Sequence, residues 1–169
     1  YVKLIFSLSR EFPKQTFILR PHPGEREKTY LEIFNGIKNI LVIRDDAVGK
    51  WIKACSLLIH NGCSTGLEGV IMRKPVICFD PIDLHKDIDN FNYDFGLKAS
   101  EEKEVIDLIK EFNNDTLETK SYNKVLKNYS IYLNNCKLDE KSYAVDRILN
   151  IVKNIPKKKT NSIFSKSLF

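Results

Sequence analysis

The sequence lacks several features that would assign it to a class at once. None of its apolar runs approaches the roughly 20 residues that a membrane-spanning helix needs. Residues 1–6 offer neither a basic leader nor a cleavage site, so no signal peptide is recognisable. The chain does not begin with Met, and we therefore expect it to be a piece of a longer protein.

Cysteine is scarce, and its spacing excludes the common zinc patterns. The four cysteines are Cys55, Cys63, Cys78 and Cys136. Cys55 and Cys78 lie in apolar stretches, which predicts that they are small core residues. A reduced, cytoplasmic setting is the default expectation for such a composition.

Acidic residues are absent from the C-terminal end. From Lys153 onward the sequence has five lysines and no Asp or Glu, which leaves 22 basic and 22 acidic residues elsewhere. A neutral body argues against nucleic-acid binding, which needs a basic face. We predict one domain over residues 1–155 and a basic tail over residues 156–169. The tail is interpreted as a solvated end, with contact to the anionic inner face of a membrane as the alternative.

Short apolar runs alternate with helical patterns along the first half of the chain. The patterns predict helices at residues 1–10, 29–34, 48–54 and 65–73, with Trp51 and Ile52 of the third helix facing the core. They predict strands at residues 16–20, 39–43, 56–60 and 75–79. Continuous apolar strands alternating with helices predict an α/β fold, a Rossmann-like doubly wound parallel sheet covered on both faces.

The second half is predicted to be a loop followed by C-terminal helices. Residues 80–97 are rich in Asp, Asn and aromatic side chains and show no period, which predicts a long loop over the sheet edge. Helices are predicted at residues 101–112, 121–134 and 140–155. Ser100 is the predicted N-cap of the first of these. Because Lys103 stands where a capping-box Glu would be, we expect a simple cap.

Two polar segments follow predicted strands, where ligands bind in parallel sheets. In the first, Pro21 and Pro23 preset the backbone on either side of His22 at low entropic cost. Arg20 offers a planar donor fork for phosphate or carboxylate, and His22 offers a donor or an acid–base group. The alternative is a rigid loop whose His is an ordinary surface residue.

The second segment, residues 60–69, joins a strand to a helix. Gly62 and Gly66 allow tight turning and close approach of a ligand, and Ser64 and Thr65 offer hydroxyls beside the N–H groups of a helix start, which attract anions. The segment does not match the phosphate-loop, Gly-x-Gly-x-x-Gly or nucleophile-elbow patterns.

Three residues of this second segment also have structural explanations. Glu68, placed in the first helical turn, is suited to ribose hydroxyls, but it is also suited to the helix dipole. Ser64 or Thr65 would equally serve as a plain N-cap. Taken alone, the segment therefore does not distinguish a ligand site from a helix start.

Together, the two segments resemble the C-terminal half of GT-B glycosyltransferases, most closely the bacterial surface carbohydrate biosynthesis proteins. Residues 17–23 are similar to their strand and His-Pro motif, and residues 51–69 to their helix, strand and nucleotide loop. Residues 73–77 resemble their Gly-Lys-Pro-Val-Ile, with Arg73 in place of the Gly. The resemblance covers residues 12–81.

This resemblance implies a glycosyltransferase that takes a CMP- or UDP-linked sugar and transfers it to a glycan or lipid-linked acceptor, with no cofactor or metal. It implies that His22, Ser64 and Thr65 contact donor phosphate and that Glu68 holds ribose. In GT-B enzymes the catalytic base usually comes from an N-terminal domain, which we expect to be missing here, so no catalytic residue is assigned. The predicted nucleotide-sugar-binding residues are Arg20, His22, Asn61, Gly62, Ser64, Thr65, Gly66 and Glu68.

Three functions stay open at this point. The His-Pro motif with a hydroxyl pair is similar to transferases that use cytidine-nucleotide donors, whereas the Gly-x-x-x-Glu loop is shared with UDP-sugar enzymes. A UDP-N-acetylglucosamine 2-epimerase-like activity is therefore an alternative to transfer. A non-catalytic role in polysaccharide assembly is the third.

Overall fold

The computed structural model describes residues 1–83, 91–113 and 144–154. The chain divides into two compact units, Tyr1–Ile131 and Tyr132–Phe169. The predicted boundary between a domain of residues 1–155 and a tail of residues 156–169 lies outside the described residues and stays a prediction. The helix predicted at residues 121–134 lies outside them too.

Helices and short strands alternate through the first unit. Its helices are α1 Val2–Glu11, α2 Glu27–Ile33, α3 Val48–Ala54, α4 Ser64–Ile71 and α5 Glu102–Asn113. Its strands are β1 Phe17–Leu19, β2 Ile40–Val42, β3 Leu58–His60, β4 Val76–Phe79 and β5 Leu97–Ala99. A 3-10 helix, Phe91–Asp94, precedes β5.

The strands form two parallel sheets. β1 pairs with β2, and β3, β4 and β5 form a second sheet in that order. The mixed α/β class and the parallel pairing are therefore as predicted. The prediction of one continuous sheet is not met, because the strands form two separate sheets. Among the described residues, no strand pairing joins the β1–β2 pair to the β3–β4–β5 sheet.

Strand β4 is the centre of the core because both of its faces are covered. All four of its residues are buried. Ile77 and Phe79 pack in one cluster with residues of α1 and α5, including Leu8 and Val105. On the other face Val76 meets α4, which approaches so closely that a side chain at Gly69 would touch it. Deleting a side chain from such a core typically costs about 2–5 kcal/mol.

Asn39 connects α1 to the β1–β2 sheet. Its side-chain amide donates to the backbone carbonyls of Ser9 and Gln15 at 3.1 and 3.2 Å, and its Oδ1 accepts from the Ser9 hydroxyl at 2.6 Å. Its own backbone carbonyl accepts from the Phe17 N–H at 2.8 Å. The Asn39 side chain thus satisfies carbonyls at and after the end of α1, and its backbone carbonyl accepts from the first residue of β1.

Two predictions in the second half were wrong. Residues 80–97 are not one loop, because the 3-10 helix lies within them and β5 begins at Leu97. The cap of α5 is not a Ser100 cap either. The Glu104 carboxylate accepts from the N–H groups of Ser100 and Glu101 at 2.7 and 3.1 Å, and the Ser100 hydroxyl donates to it at 3.2 Å. The carboxylate of Glu104 therefore accepts from backbone N–H groups at the start of the helix, which would otherwise lack partners.

The second unit contains α6, Ala144–Asn154. Its apolar residues recur at helical spacing, and they are exposed: Val145, Ile148, Leu149, Ile151 and Val152. Within residues 1–83, 91–113 and 144–154, no helix has both the length and the apolar content to cross a bilayer.

Helix α4 ends at a strained position. The Arg73 N–H donates to the Val70 carbonyl at 2.9 Å and the Lys74 N–H to the Gly69 carbonyl at 2.9 Å, the pair of bonds that defines a Schellman motif. This motif places Arg73 at φ 56°, a left-handed conformation that glycine adopts without the steric cost borne by other residues.

We predict that Arg73→Gly raises the free energy of unfolding by about 1 kcal/mol, because it removes the left-handed strain. Urea denaturation followed by circular dichroism measures the change. Arg73→Ala is the matched control, since it deletes the same side chain but keeps the β-carbon. Equal stabilities of the Gly and Ala variants would contradict the prediction.

Candidate functional site

The guanidinium of Arg20 donates to backbone carbonyls of a neighbouring loop. Its Nη1 donates to the Asp45 carbonyl at 2.7 Å, and its Nη2 donates to the carbonyls of Arg44 and Asp46 at 3.2 and 3.0 Å. The guanidinium carbon lies 5.8 Å from the centroid of the Trp51 ring, a cation–π distance. Arg20 therefore connects the loop after β1 to the loop after β2.

Arg44 makes the reverse connection. Its Nη2 donates to the Pro23 carbonyl at 2.5 Å and its Nη1 to the Glu25 carbonyl at 3.5 Å. Trp51 donates from its indole N–H to the Asp45 carbonyl at 2.9 Å, so Trp51 lies half-buried at these loops instead of in the core as predicted. Ile52, the other residue predicted to face the core, is buried.

His22 is exposed and its ring is oriented by its own loop. Nδ1 accepts from the Gly24 N–H at 3.1 Å, so the neutral ring carries its proton on Nε2. The His22 N–H donates to Glu25 Oε2 at 2.7 Å, and the Tyr30 hydroxyl donates to Glu25 Oε1 at 2.6 Å. The bond from Tyr30 and then that from His22 lower the pKa of the Glu25 carboxyl. The loop thus presents an Nε2–H donor on a fixed backbone.

The space beside Gly62 and Gly66 of the second segment is occupied by protein side chains. Gly62 has φ +70°, which confirms the tight turn, and a β-carbon there would lie 2.3 Å from the Tyr93 ring. A β-carbon on Gly66 would lie 2.3 Å from Cε1 of His60. The close approach that these glycines permit is therefore made by Tyr93 and His60.

His60 is buried at the carboxyl end of β3. Its Nε2 lies 2.6 Å from the Phe95 carbonyl, to which it donates, and its Nδ1 accepts from the Gly62 N–H at 3.2 Å. Burial lowers the pKa of the imidazolium, whereas the neighbouring Cys63 and Cys78 side chains and the Phe95 carbonyl raise it by more, to about 9. The contact from the Gly62 N–H, by contrast, requires the neutral ring.

Helix α4 begins one residue earlier than predicted, which changes three placements. Its N-cap is Cys63, without a side-chain capping bond, so neither Ser64 nor Thr65 is the cap. Glu68 is the fifth residue of the helix, and the first turn has no acidic residue, so its predicted place in the first turn was wrong. Ser64 and Asn61 are exposed at the helix start.

A pocket opens at the carboxyl ends of β4 and β5. Its volume is about 440 Å³, within the range of small-molecule sites. It adjoins the second segment through the Tyr93 ring, which covers Gly62. None of the site residues predicted from the sequence lines this pocket, and the polar composition of residues 80–97 is the only sequence signal for it. The lining residues are Cys78, Asp80, Asp83, Tyr93, Lys98, Ala99, Ser100 and Glu104.

The two predicted segments follow strands of different sheets, β1 and β3. The Asn61–Glu68 segment and the pocket share one sheet edge, whereas Arg20 and His22 belong to the β1–β2 edge. Among the described residues, no group of three or more His, Cys, Asp or Glu side chains is arranged to hold a metal ion.

Comparison with known proteins adds no assignment. No protein-family model, no curated protein and no solved structure matches this chain.

We predict that Gly66→Ala lowers the free energy of unfolding by about 1–3 kcal/mol, because the added methyl overlaps the buried His60 ring. Urea denaturation measures the effect. Gly49→Ala in α3 is the matched control, since its nearest neighbour is the flexible end of Met72 at 3.5 Å. Gly49→Ala should be neutral or stabilising by up to about 1 kcal/mol. A Gly66→Ala protein as stable as this control would show that His60 is not packed as described.

We predict that Tyr30→Phe raises the pKa of the Glu25 carboxyl toward its ordinary value, because the largest cause of its depression is removed. Carboxyl-carbon NMR titration measures this. A depressed pKa in the folded state stabilises above the unfolded-state pKa, and this stabilisation is lost as pH falls through the folded-state pKa. The stability difference between wild type and Tyr30→Phe should therefore shrink on acidification. In a Glu25→Gln background the difference should show no such pH dependence.

Proposed function

We propose that this chain binds a nucleotide-activated sugar at the carboxyl edge of the β3–β4–β5 sheet. We further propose that it forms the donor-binding part of a glycosyltransferase-like enzyme of bacterial surface polysaccharide biosynthesis. The observation that carries the proposal is the adjacency of a helix start and a polar pocket at this edge. Ligands of open parallel sheets bind outside the carboxyl ends of the strands.

The start of α4 supports the phosphate part of the donor. Its first N–H groups lack partners within the helix, and the helix dipole adds positive potential there. The exposed Ser64 and the half-buried Thr65 add hydroxyl donors, and the exposed Asn61 adds an amide. These groups are suited to recognise an anion without a basic residue.

The pocket supports the sugar part. The carboxylates of Asp80 and Asp83 are acceptors for sugar hydroxyls, and Lys98 and Ser100 are donors. A pocket with more carboxylates than cations repels a phosphate, so the phosphates belong at α4 and the hydroxyl-rich group belongs in the pocket.

The β1–β2 loops have a narrower role in this proposal. His22 reaches a donor phosphate through Nε2–H, and Arg20 positions the loop that carries it. Glu68 keeps its proposed role at the ribose, from the second turn of α4. No base is assigned among these residues. The proposed contribution to transfer is donor positioning and stabilisation of the departing phosphate, while the acceptor is a glycan or a lipid-linked glycan.

We predict that the protein binds cytidine or uridine nucleotides. Ser64→Ala and His22→Ala should each weaken binding about tenfold, the loss of one hydrogen bond to a charged group. Isothermal titration calorimetry measures both. Lys28→Ala is the control, because Lys28 is exposed on α2 in an ion pair with Glu32. Absence of binding for every CMP-, CDP- and UDP-linked ligand would overturn the proposal.

The same titrations separate the alternatives. Cytidine and uridine ligands identify the base. With UDP-N-acetylglucosamine and no acceptor, release of free UDP indicates epimerase-type chemistry, whereas binding without turnover agrees with a transferase donor site.

A further inference from the structure

Helix α6, Ala144–Asn154, carries an apolar stripe on its surface. At 3.6 residues per turn, the aliphatic residues of the stripe fall within an arc of roughly 160°. Their exposed fractions run from 48% to 66%, whereas α1 and α5 of the first unit bury apolar residues in the core. Contiguous exposed apolar residues mark interaction surfaces. The stripe consists of Val145, Ile148, Leu149, Ile151 and Val152.

The opposite side of α6 is polar. The Asn154 side-chain amide donates to the Asn150 carbonyl at 2.8 Å and to its Oδ1 at 3.2 Å, so these two residues lie together on one side of the helix. Both are exposed, and so is Lys153. Polar and apolar residues are therefore segregated around the helix, as in helices that lie at the boundary between water and an apolar phase.

The charge of this part of the chain indicates which surface the stripe fits. After Asp146, no Asp or Glu occurs in the sequence through residue 169. Lys157, Lys158 and Lys159 follow within five residues of the end of α6. Lysine is depleted from protein–protein interfaces, whereas each lysine close to an anionic bilayer is attracted to it. An apolar stripe beside a lysine cluster thus complements an anionic lipid surface better than a protein partner.

The length of α6 determines how it would meet a bilayer. Its 11 residues extend for about 16 Å, roughly half the thickness of the hydrocarbon core. We propose that α6 binds the surface of a bilayer rich in anionic phospholipid and lies parallel to it. The stripe enters the boundary between headgroups and acyl chains, and the lysines stay among the headgroups. This surface is independent of the proposed nucleotide binding.

The first test is a vesicle flotation assay on the 169-residue protein without nucleotide. We expect binding to vesicles of phosphatidylcholine with about 30% phosphatidylglycerol to be at least roughly tenfold stronger than binding to phosphatidylcholine alone. Raising the salt concentration to about 0.5 M should weaken it, because the lysine contribution is screened. Equal binding to the two kinds of vesicle, or no binding to the anionic one, would overturn the proposal.

Substitutions separate the stripe from the lysines. Ile148→Asp should weaken binding at least roughly tenfold, because it places a charge in the apolar stripe. Replacing Lys157, Lys158 and Lys159 together by Ala should weaken it about a hundredfold. Leu31→Asp is the matched control, since Leu31 is 51% exposed on α2 in the first unit, and it should bind like wild type. Circular dichroism confirms that each variant is folded. Wild-type affinity of Ile148→Asp contradicts the proposal.

A pair of neighbouring substitutions tests the orientation. Leu149→Trp lies in the stripe and Asn150→Trp on the polar side, so only the first should gain fluorescence quenching by brominated lipid over that of wild type. Equal quenching of the two variants would contradict a helix lying on the surface. Self-association in sedimentation equilibrium that Ile148→Asp abolishes, without vesicle binding, would instead identify a second copy as the occupant. No nucleotide is used, so failure leaves the donor-site proposal untouched.

Discussion

The hydrogen bond between His60 Nε2 and the Phe95 carbonyl, 2.6 Å long and buried, connects the parts on which this sheet edge depends. It joins the end of β3 to the turn before β5, although the residues are 35 positions apart. The same turn carries Tyr93, whose ring covers Gly62. A buried donor without this acceptor would carry a desolvation cost of about 1–3 kcal/mol, so the contact specifies one arrangement of the loop after β3.

This constraint changes how small residues at such an edge are interpreted. Gly62 and Gly66 suggested space for a ligand, yet the space is taken by Tyr93 and by His60. The glycines bring two side chains close to the start of α4 and leave the exposed surface to Asn61 and Ser64. A nucleotide at this edge would therefore meet the outer side of the turn, and the inner side serves the packing.

The regular elements could be predicted because their signals are local. The helical spacing of Val2, Leu4 and Leu8 and the apolar run ending in β4 each reflect a face that the core buries. The class of fold followed from their alternation. Strand β5 could not be predicted, because Leu97-Lys98-Ala99 is short and is defined by its pairing with β4. The division into two sheets depends on hydrogen-bond register, which no run of residues encodes. The orientation of the His60 ring depends on a distant carbonyl.

The reciprocal bonds of Arg20 and Arg44 have a dynamic consequence. Each guanidinium donates to carbonyls of the other's loop, so neither the His-Pro turn nor residues 44–46 can leave its place alone. We therefore expect the two loops to open as one cooperative unit, whose amide hydrogens exchange with solvent together. We also expect a displacement of His22 to move the start of α3 at Val48, two residues beyond Asp46.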